Sequence, residues 1–126
     1  MVWVLRILIV LQLLVGLSLS RGLFGMRQLG APSGEGDIHM LIGILLAIAA
    51  IAIVRPARGS VLGWIGRFSA LVPLVIGLLV RFAGMTGVEV VLVHIVLGLV
   101  AFGLIEMAMA QSRRAAAATS ESATPI

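Results

Sequence analysis

The chain alternates between long apolar stretches and short polar breaks. Four stretches are made mainly of Leu, Val, Ile, Ala and Gly, and they cover approximately residues 2–20, 37–54, 61–82 and 87–110. Each is close to the roughly 20 residues that an α-helix needs to cross a hydrocarbon layer of about 30 Å. The pattern therefore predicts an all-α integral membrane protein with four transmembrane helices.

Composition supports this class and removes several kinds of site. The chain is 61% hydrophobic and 11% charged, with a mean hydropathy of +1.23. It has no cysteine, which excludes disulfides, iron–sulfur clusters, thiolate-bound zinc and covalently attached haem. The net charge of +4 comes from dispersed arginines near the helix ends. Such arginines indicate contact with a lipid bilayer and no role in binding nucleic acid.

The arginines also predict an orientation. Six of them lie on the side that holds both chain ends, and three, Arg21, Arg27 and Arg81, lie on the other side. The positive-inside rule then places both termini in the cytoplasm of a bacterium, with the protein in the inner membrane. The first stretch has an alternative interpretation as a cleaved signal peptide, but its single Arg6 is a weak charged region for one. We predict a bundle over 1–112 and a polar, disordered cytoplasmic tail over 113–126.

The two halves of the chain resemble each other. Arg6 and Gly16 are ten residues apart, as are Arg67 and Gly77. Each half then has an Arg followed by Gly-Met and, after a loop, a His-x-x-x-Gly motif. This order predicts two repeated helical hairpins, related by an axis along the membrane normal. Such an arrangement would place the two histidines opposite each other at equal depth.

The candidate functional residues are the two histidines, His39 and His94, each with a glycine four residues later, Gly43 and Gly98. An ionisable side chain inside a membrane is costly and by default marks a function. The glycine one turn on leaves the same helix face open for a flat group. Two imidazoles that face each other across a four-helix core are the ligand set of a b-type haem.

Other residues are predicted to complete this haem site. Arg81, Arg21 and Arg27 would pair with the propionates by charge-assisted hydrogen bonds. Asp37 or Glu89 would accept the second ring N–H of a histidine. The glycines, with Ala47 and Ala101, would form flat walls against the porphyrin. Both the walls and the propionate contacts are predicted from the spacing of these residues along the sequence.

Several alternatives remain open for the histidines. Each could hydrogen-bond a neighbouring helix and have a purely structural role. Each could also bind a bacteriochlorophyll, which needs one histidine and a small residue beside it. Zinc or copper is disfavoured, because two histidines without a third ligand leave such a metal under-coordinated.

The remaining polar groups have structural interpretations. Gln12 is expected to hydrogen-bond another helix, and Glu106 is expected to pair with Arg55, Arg58 or Arg67. The third stretch carries small residues at a spacing of three and four, which predicts close packing within the bundle or against another protein. These positions are Gly63, Gly66, Ala70, Pro73 and Gly77.

The His-x-x-x-Gly motifs of the second and fourth helices resemble those of small four-helix membrane b-type cytochromes. They are also similar to the four-helix halves of the haem A synthase family, whose second and fourth helices carry haem-ligating histidines near the outer face. In that family a carboxylate precedes the histidine by about one turn. Here Glu35 and Asp37 precede His39 by four and two residues, and Glu89 precedes His94 by five, so no catalytic carboxylate is carried over.

The sequence thus predicts an electron-transfer subunit that holds one haem b near the outer leaflet, within a larger respiratory or photosynthetic complex. No nucleophile–base pair is evident, so no catalysis beyond electron transfer is expected. The alternative is a cofactor-free accessory subunit that stabilises a larger membrane complex. A small transporter is disfavoured, because no polar pathway crosses the predicted helices.

Overall fold

The computed structural model describes residues 2–24 and 34–122, apart from the side chains of 20–24, 35 and 121. Its helices are α1 (Val2–Phe24), α2 (Gly34–Ile53), α3 (Val61–Phe68), α4 (Leu71–Phe82) and α5 (Val88–Ser122). Within these residues, four helical segments are long and apolar enough to cross a membrane, with α3 and α4 together forming the third. The predicted all-α four-helix architecture is confirmed, and it is consistent with a multi-pass membrane protein.

The third segment is interrupted between α3 and α4. Pro73 lies in the first turn of α4, where its missing N–H leaves no helical hydrogen bond unmade. The carbonyl of Ser69, four residues earlier, accepts from the backbone N–H of Val72 at 3.4 Å. The Ser69 hydroxyl donates to the carbonyls of Gly66 at 3.0 Å and Ala101 at 3.2 Å. The break is therefore held by contacts within its own helix and with α5.

α3 begins at a well-formed cap. The Ser60 hydroxyl accepts a 2.8 Å hydrogen bond from the backbone N–H of Gly63, as an N-cap residue does. The preceding Gly59 has a φ of 76°, a conformation that glycine adopts without a Cβ clash. The chain thus turns sharply between α2 and α3.

The last helix is longer than the sequence pattern predicts. α5 continues to Ser122, so residues 113–122 are helical and the prediction of a disordered tail is corrected over that range. The reason is composition, because arginine and the four alanines from Ala115 to Ala118 are strong helix formers. Residues 123–126 of the predicted tail lie outside the described residues.

The helices pack in an order that keeps each hairpin together. α1 packs on α2, α5 packs on both α3 and α4, and α2 joins the two hairpins through its contacts with α3 and α4. We call the end of the bundle where α1 and α3 begin the arginine end, because Arg55, Arg58, Arg113 and Arg114 lie there. The opposite end, where α2 and α5 begin, is the histidine end.

The buried apolar core lies towards the arginine end. Its fully buried side chains include Leu5, Val54 and Ile105, surrounded by small residues such as Ala50 and Ala108. At the histidine end the described parts of 13–19, 36–42 and 74–93 contain no buried side chain. Packing is therefore tight at one end of the bundle and open at the other.

The stripe of small residues in the third segment is used inside the bundle. A Cβ on Gly66 would lie 2.7 Å from the backbone oxygen of Leu104 and closer still to Ala108, both on α5. A Cβ on Gly63 would lie 2.8 Å from Cα of Pro56. Of the two predicted uses of this stripe, packing within the bundle is the one observed. Large apolar side chains such as Leu17, Ile48 and Val96 instead cover the outer surface, as lipid contact requires.

Candidate histidine site

The two histidines approach each other near the histidine end of the bundle. His39 lies five residues into α2 and His94 six residues into α5, so both are about 8–9 Å from their helix starts. Their ring centroids are 6.0 Å apart and their planes are inclined at 73°. Both side chains are half-buried. The matched depth and the facing arrangement that the repeat predicts are thus observed.

In the first hairpin, α1 supplies the surroundings of His39. The Nε2 atom of its ring lies 3.3 Å from Nε2 of the Gln12 side-chain amide. The ring also lies over Gly16, one turn further along α1, where an added Cβ would stand 3.1 Å from Cε1. Gln12 and Gly16 share a helix face because they are four residues apart. The predicted helix–helix hydrogen bond of Gln12 therefore exists, and its partner is His39.

In the second hairpin, α4 supplies the surroundings of His94. The ring Nδ1 lies 2.9 Å from the backbone oxygen of Pro73. A Cβ on Gly77 would stand 2.9 Å from Cε1 of this ring, a separation that real Cβ atoms essentially never show. Gly77 is therefore required for the imidazole to reach the helix backbone one turn away.

The two hairpins use equivalent positions. In the alignment of Arg6–Gly16 with Arg67–Gly77, Gln12 matches Pro73 and Gly16 matches Gly77. The first matched position bonds the histidine and the second clears space for its ring. The same histidine environment is therefore built twice, with a side-chain amide in one hairpin and a backbone carbonyl in the other.

Gly16 and Gly77, the glycines that contact the two rings, were not among the site residues predicted from the sequence. The prediction assigned Gly43 and Gly98, which follow the histidines on their own helices. Gly43 is buried, and its added Cβ would lie 3.1 Å from Nε2 of Gln12 and 3.6 Å from Cδ1 of Leu74. Gly98 has no atom within 4 Å of such a Cβ. The signal for Gly16 and Gly77 was present in the spacing of ten residues from Arg6 and Arg67.

Each ring leaves one nitrogen without a hydrogen bond within the described residues. A carbonyl oxygen only accepts, so Nδ1 of His94 carries the hydrogen and Nε2 carries the lone pair. In His39 the unpaired atom is Nδ1, which is buried. The buried Oε1 of Gln12 also lacks a partner. Unpaired buried polar atoms are costly, and two of the three such side-chain atoms among the described residues lie here, the third being Nε of Arg67.

Of the predicted arginine and carboxylate residues, Arg81, Asp37 and Glu89 lie at the histidine end. Arg81 donates from Nε and Nη2 to Oδ1 of Asp37, at 3.1 Å and 2.8 Å. Asp37 therefore joins α4 to α2 and does not accept from a histidine. Glu89 lies in the first turn of α5 and is exposed. Arg27 and the side chain of Arg21 lie outside the described residues.

Glu106 has a different partner from the predicted ones. Nε and Nη2 of Arg6 each donate to one of its carboxylate oxygens at 2.9 Å, which joins α1 to α5. The expectation of Arg55, Arg58 or Arg67 was wrong, because the sequence does not reveal which helices are neighbours. Arg67 is the counterpart of Arg6 in the repeat. Its guanidinium carbon instead lies over the ring of Trp64, 5.5 Å from the ring centroid.

The two histidines bring two imidazole rings together, and imidazole nitrogen is a common metal ligand. The described residues contain no group of three or more His, Cys, Asp and Glu side chains that could hold a metal ion. Two imidazoles are too few to hold a metal ion without further ligands. With metal–nitrogen bonds of about 2 Å, two imidazoles on opposite sides of one ion have ring centres roughly 6 Å apart.

Comparison with protein-family models, with curated proteins and with solved structures finds no match to this chain.

Proposed function

We propose that the protein is a membrane-embedded b-type haem subunit that transfers electrons, with His39 and His94 as the axial ligands. The observation that carries this proposal is the 6.0 Å separation of the two ring centroids, which come from equivalent positions of two similar hairpins. A structural role requires neither that the rings face each other nor that their spacing suits one metal ion.

The hydrogen bonds of the rings support the same role. A histidine that binds a metal commonly donates its other N–H to a carbonyl or a polar side chain, which fixes the tautomer. His94 does so through Pro73, and His39 has Gln12 as its neighbour. Rotation of the Gln12 amide would let its oxygen accept from Nε2 of His39, leaving the lone pair on Nδ1. Both rings would then present a lone pair.

The open packing at the histidine end is also relevant. Protein interiors are close-packed, and here the fully buried side chains are concentrated at the arginine end. A large planar apolar group at the histidine end would provide contacts that the described side chains do not provide for each other. The bound group would supply one-electron chemistry, and the chain's own residues would orient the ligands and hold the hairpins around them.

The proposed location of the protein is based on the distribution of its arginines. The arginine distribution favours both termini in the cytoplasm of a bacterium, which places the histidine end towards the outer face of the inner membrane. Arg81, Arg21 and Arg27 would then lie on the side of the propionates. Electron transfer needs a donor and an acceptor, so we place the chain within a larger respiratory or photosynthetic complex.

The test is an absorption spectrum of the full chain produced under haem-replete conditions and purified in mild detergent. We expect a Soret band and a sharp α-band after dithionite reduction, both lost in His39→Ala and in His94→Ala. Gly103→Ala on the same helix as His94 is the matched control, because Gly103 is exposed and no atom lies within 4 Å of its added Cβ, and it should keep the spectrum. A wild-type protein without a Soret band would refute the proposal, and a far-red band would identify bacteriochlorophyll instead.

A second candidate is a cofactor-free accessory subunit. It is favoured by the fact that each histidine already links the two helices of its own hairpin. In that case neither variant changes a visible spectrum, and both lower the melting temperature of a colourless protein.

A further inference from the structure

A recess lies at the arginine end, far from the histidines. It has a volume of about 480 Å³ and opens between the start of α1, the end of α2 and the last turns of α5. Its lining combines apolar and small side chains with two arginines. The residues used below are Val2, Ile53, Arg55, Met109, Arg113 and Ala116.

The lining changes from apolar to basic along the helix axes. Ile53 and Met109 lie within apolar segments, and Val2 begins α1. Arg55 follows Ile53 by two residues, and Arg113 follows Met109 by one helical turn. The recess therefore spans the level at which a membrane changes from hydrocarbon to headgroups.

The two arginines have no acidic partner within the described residues. The ion pairs there are Arg6 with Glu106 and Arg81 with Asp37. Glu106, two turns before Arg113 on α5, is already bonded through both of its oxygens to Arg6. Arg55 and Arg113 are exposed and form no ion pair within the described residues, and Glu106 attracts Arg113 only over a longer distance than an ion pair. An anion is the missing complement.

The recess is held together by a hydrogen bond. The hydroxyl of Ser112 donates to the backbone oxygen of Arg55 at 2.7 Å and to that of Ala108 at 3.0 Å. This bond joins the loop after α2 to the part of α5 that continues beyond the apolar segment. Arg113 directly follows Ser112 in that part of the helix. The backbones that carry both arginines are therefore held side by side.

We propose that this recess binds the headgroup of an anionic phospholipid. The phosphate lies between Arg55 and Arg113, and the glycerol and upper acyl chains lie along Val2, Ile53 and Met109. A guanidinium group suits phosphate oxygens by geometry and charge. The apolar lining favours a lipid over free phosphate, which has nothing to bury there. The helical extension of α5 beyond the membrane segment then has a role as one wall of the site.

The experiment measures binding of tail-labelled phosphatidylglycerol to the full chain in neutral detergent, with phosphatidylcholine as the comparison lipid. We expect phosphatidylglycerol to bind and its affinity to fall about 25-fold in the double variant Arg55→Gln/Arg113→Gln, roughly fivefold for each arginine. The matched control is Arg58→Gln/Arg114→Gln, which removes the same charge from residues outside the recess. It should lose only a small part of the affinity.

A second pair of variants tests the apolar part of the site. Ala116→Phe fills the recess and should abolish binding, whereas Ala117→Phe, on an exposed position outside the lining, should not. Equal losses in the two arginine double variants would reduce the effect to general surface charge and overturn the proposal. So would equal affinity for phosphatidylcholine, or displacement of the lipid by inorganic phosphate at equal concentration. Circular dichroism should show the same helix content in all variants, because the changed side chains are exposed.

Discussion

Gly77→Ala should destabilise the protein, although alanine is normally the better helix former. The new Cβ would lie 2.9 Å from Cε1 of His94 and 3.5 Å from Nδ1. The ring would have to move away, and its 2.9 Å hydrogen bond to Pro73 would lengthen or break. Overpacking of this kind costs about 1–3 kcal/mol, and a lost hydrogen bond costs about 1 kcal/mol. The gain in helix propensity is at most about 1 kcal/mol.

Gly98→Ala provides the matched control on the facing helix. No atom lies within 4 Å of its added Cβ, so only the gain in helix propensity remains. The two variants should therefore differ by roughly 2–4 kcal/mol in the free energy of unfolding, with opposite signs relative to the wild type. The measurement is reversible unfolding of the full chain in mixed micelles, followed by circular dichroism. If Gly77→Ala is as stable as Gly98→Ala, the ring does not pack against α4 as described.

Three further predictions concern polar contacts between helices and at a helix start. Arg6→Gln and Glu106→Gln should each lower the melting temperature, because each leaves one charge without its partner. The exchange Arg6→Glu/Glu106→Arg should recover part of the loss, and a swap worse than both single variants would contradict the pair. Gln12→Leu should cost about 1 kcal/mol and broaden the ring signals of His39 in NMR spectra, whereas unchanged signals would mean that the amide does not contact the ring. Ser60→Ala should cost about 2 kcal/mol in the same unfolding assay, because α3 loses its N-cap and the buried hydroxyl no longer donates to Oε1 of Gln111; Ser60→Thr, which can cap and donate, should retain most of the stability.

The repeat in the sequence predicts more of the histidine site than the motif around each histidine does. The His-x-x-x-Gly motifs directed attention to Gly43 and Gly98, on the same helices as the rings. The glycines against which the rings pack, Gly16 and Gly77, lie on the neighbouring helices. A motif within one helix shows which residues lie on the same face of that helix. It does not show which residues of a neighbouring helix pack against that face.

The sequence by itself determined the class of the protein, the number and approximate limits of its apolar helices, and the equal depth of His39 and His94. These properties depend on local composition and on distance along one helix, both of which can be read from the chain. The helix break before Pro73 has its cause in the sequence too, although its position at residues 69–70 required the structure.

Only the tertiary structure decided which residues meet. It paired Arg6 with Glu106 and Arg81 with Asp37, and it placed Gln12 and Pro73 against the two histidines. These contacts depend on how the helices are rotated about their axes and which helices are neighbours. In a chain of nearly uniform apolar helices the hydrophobic pattern does not specify that rotation. Close packing of small residues and the few polar contacts specify it.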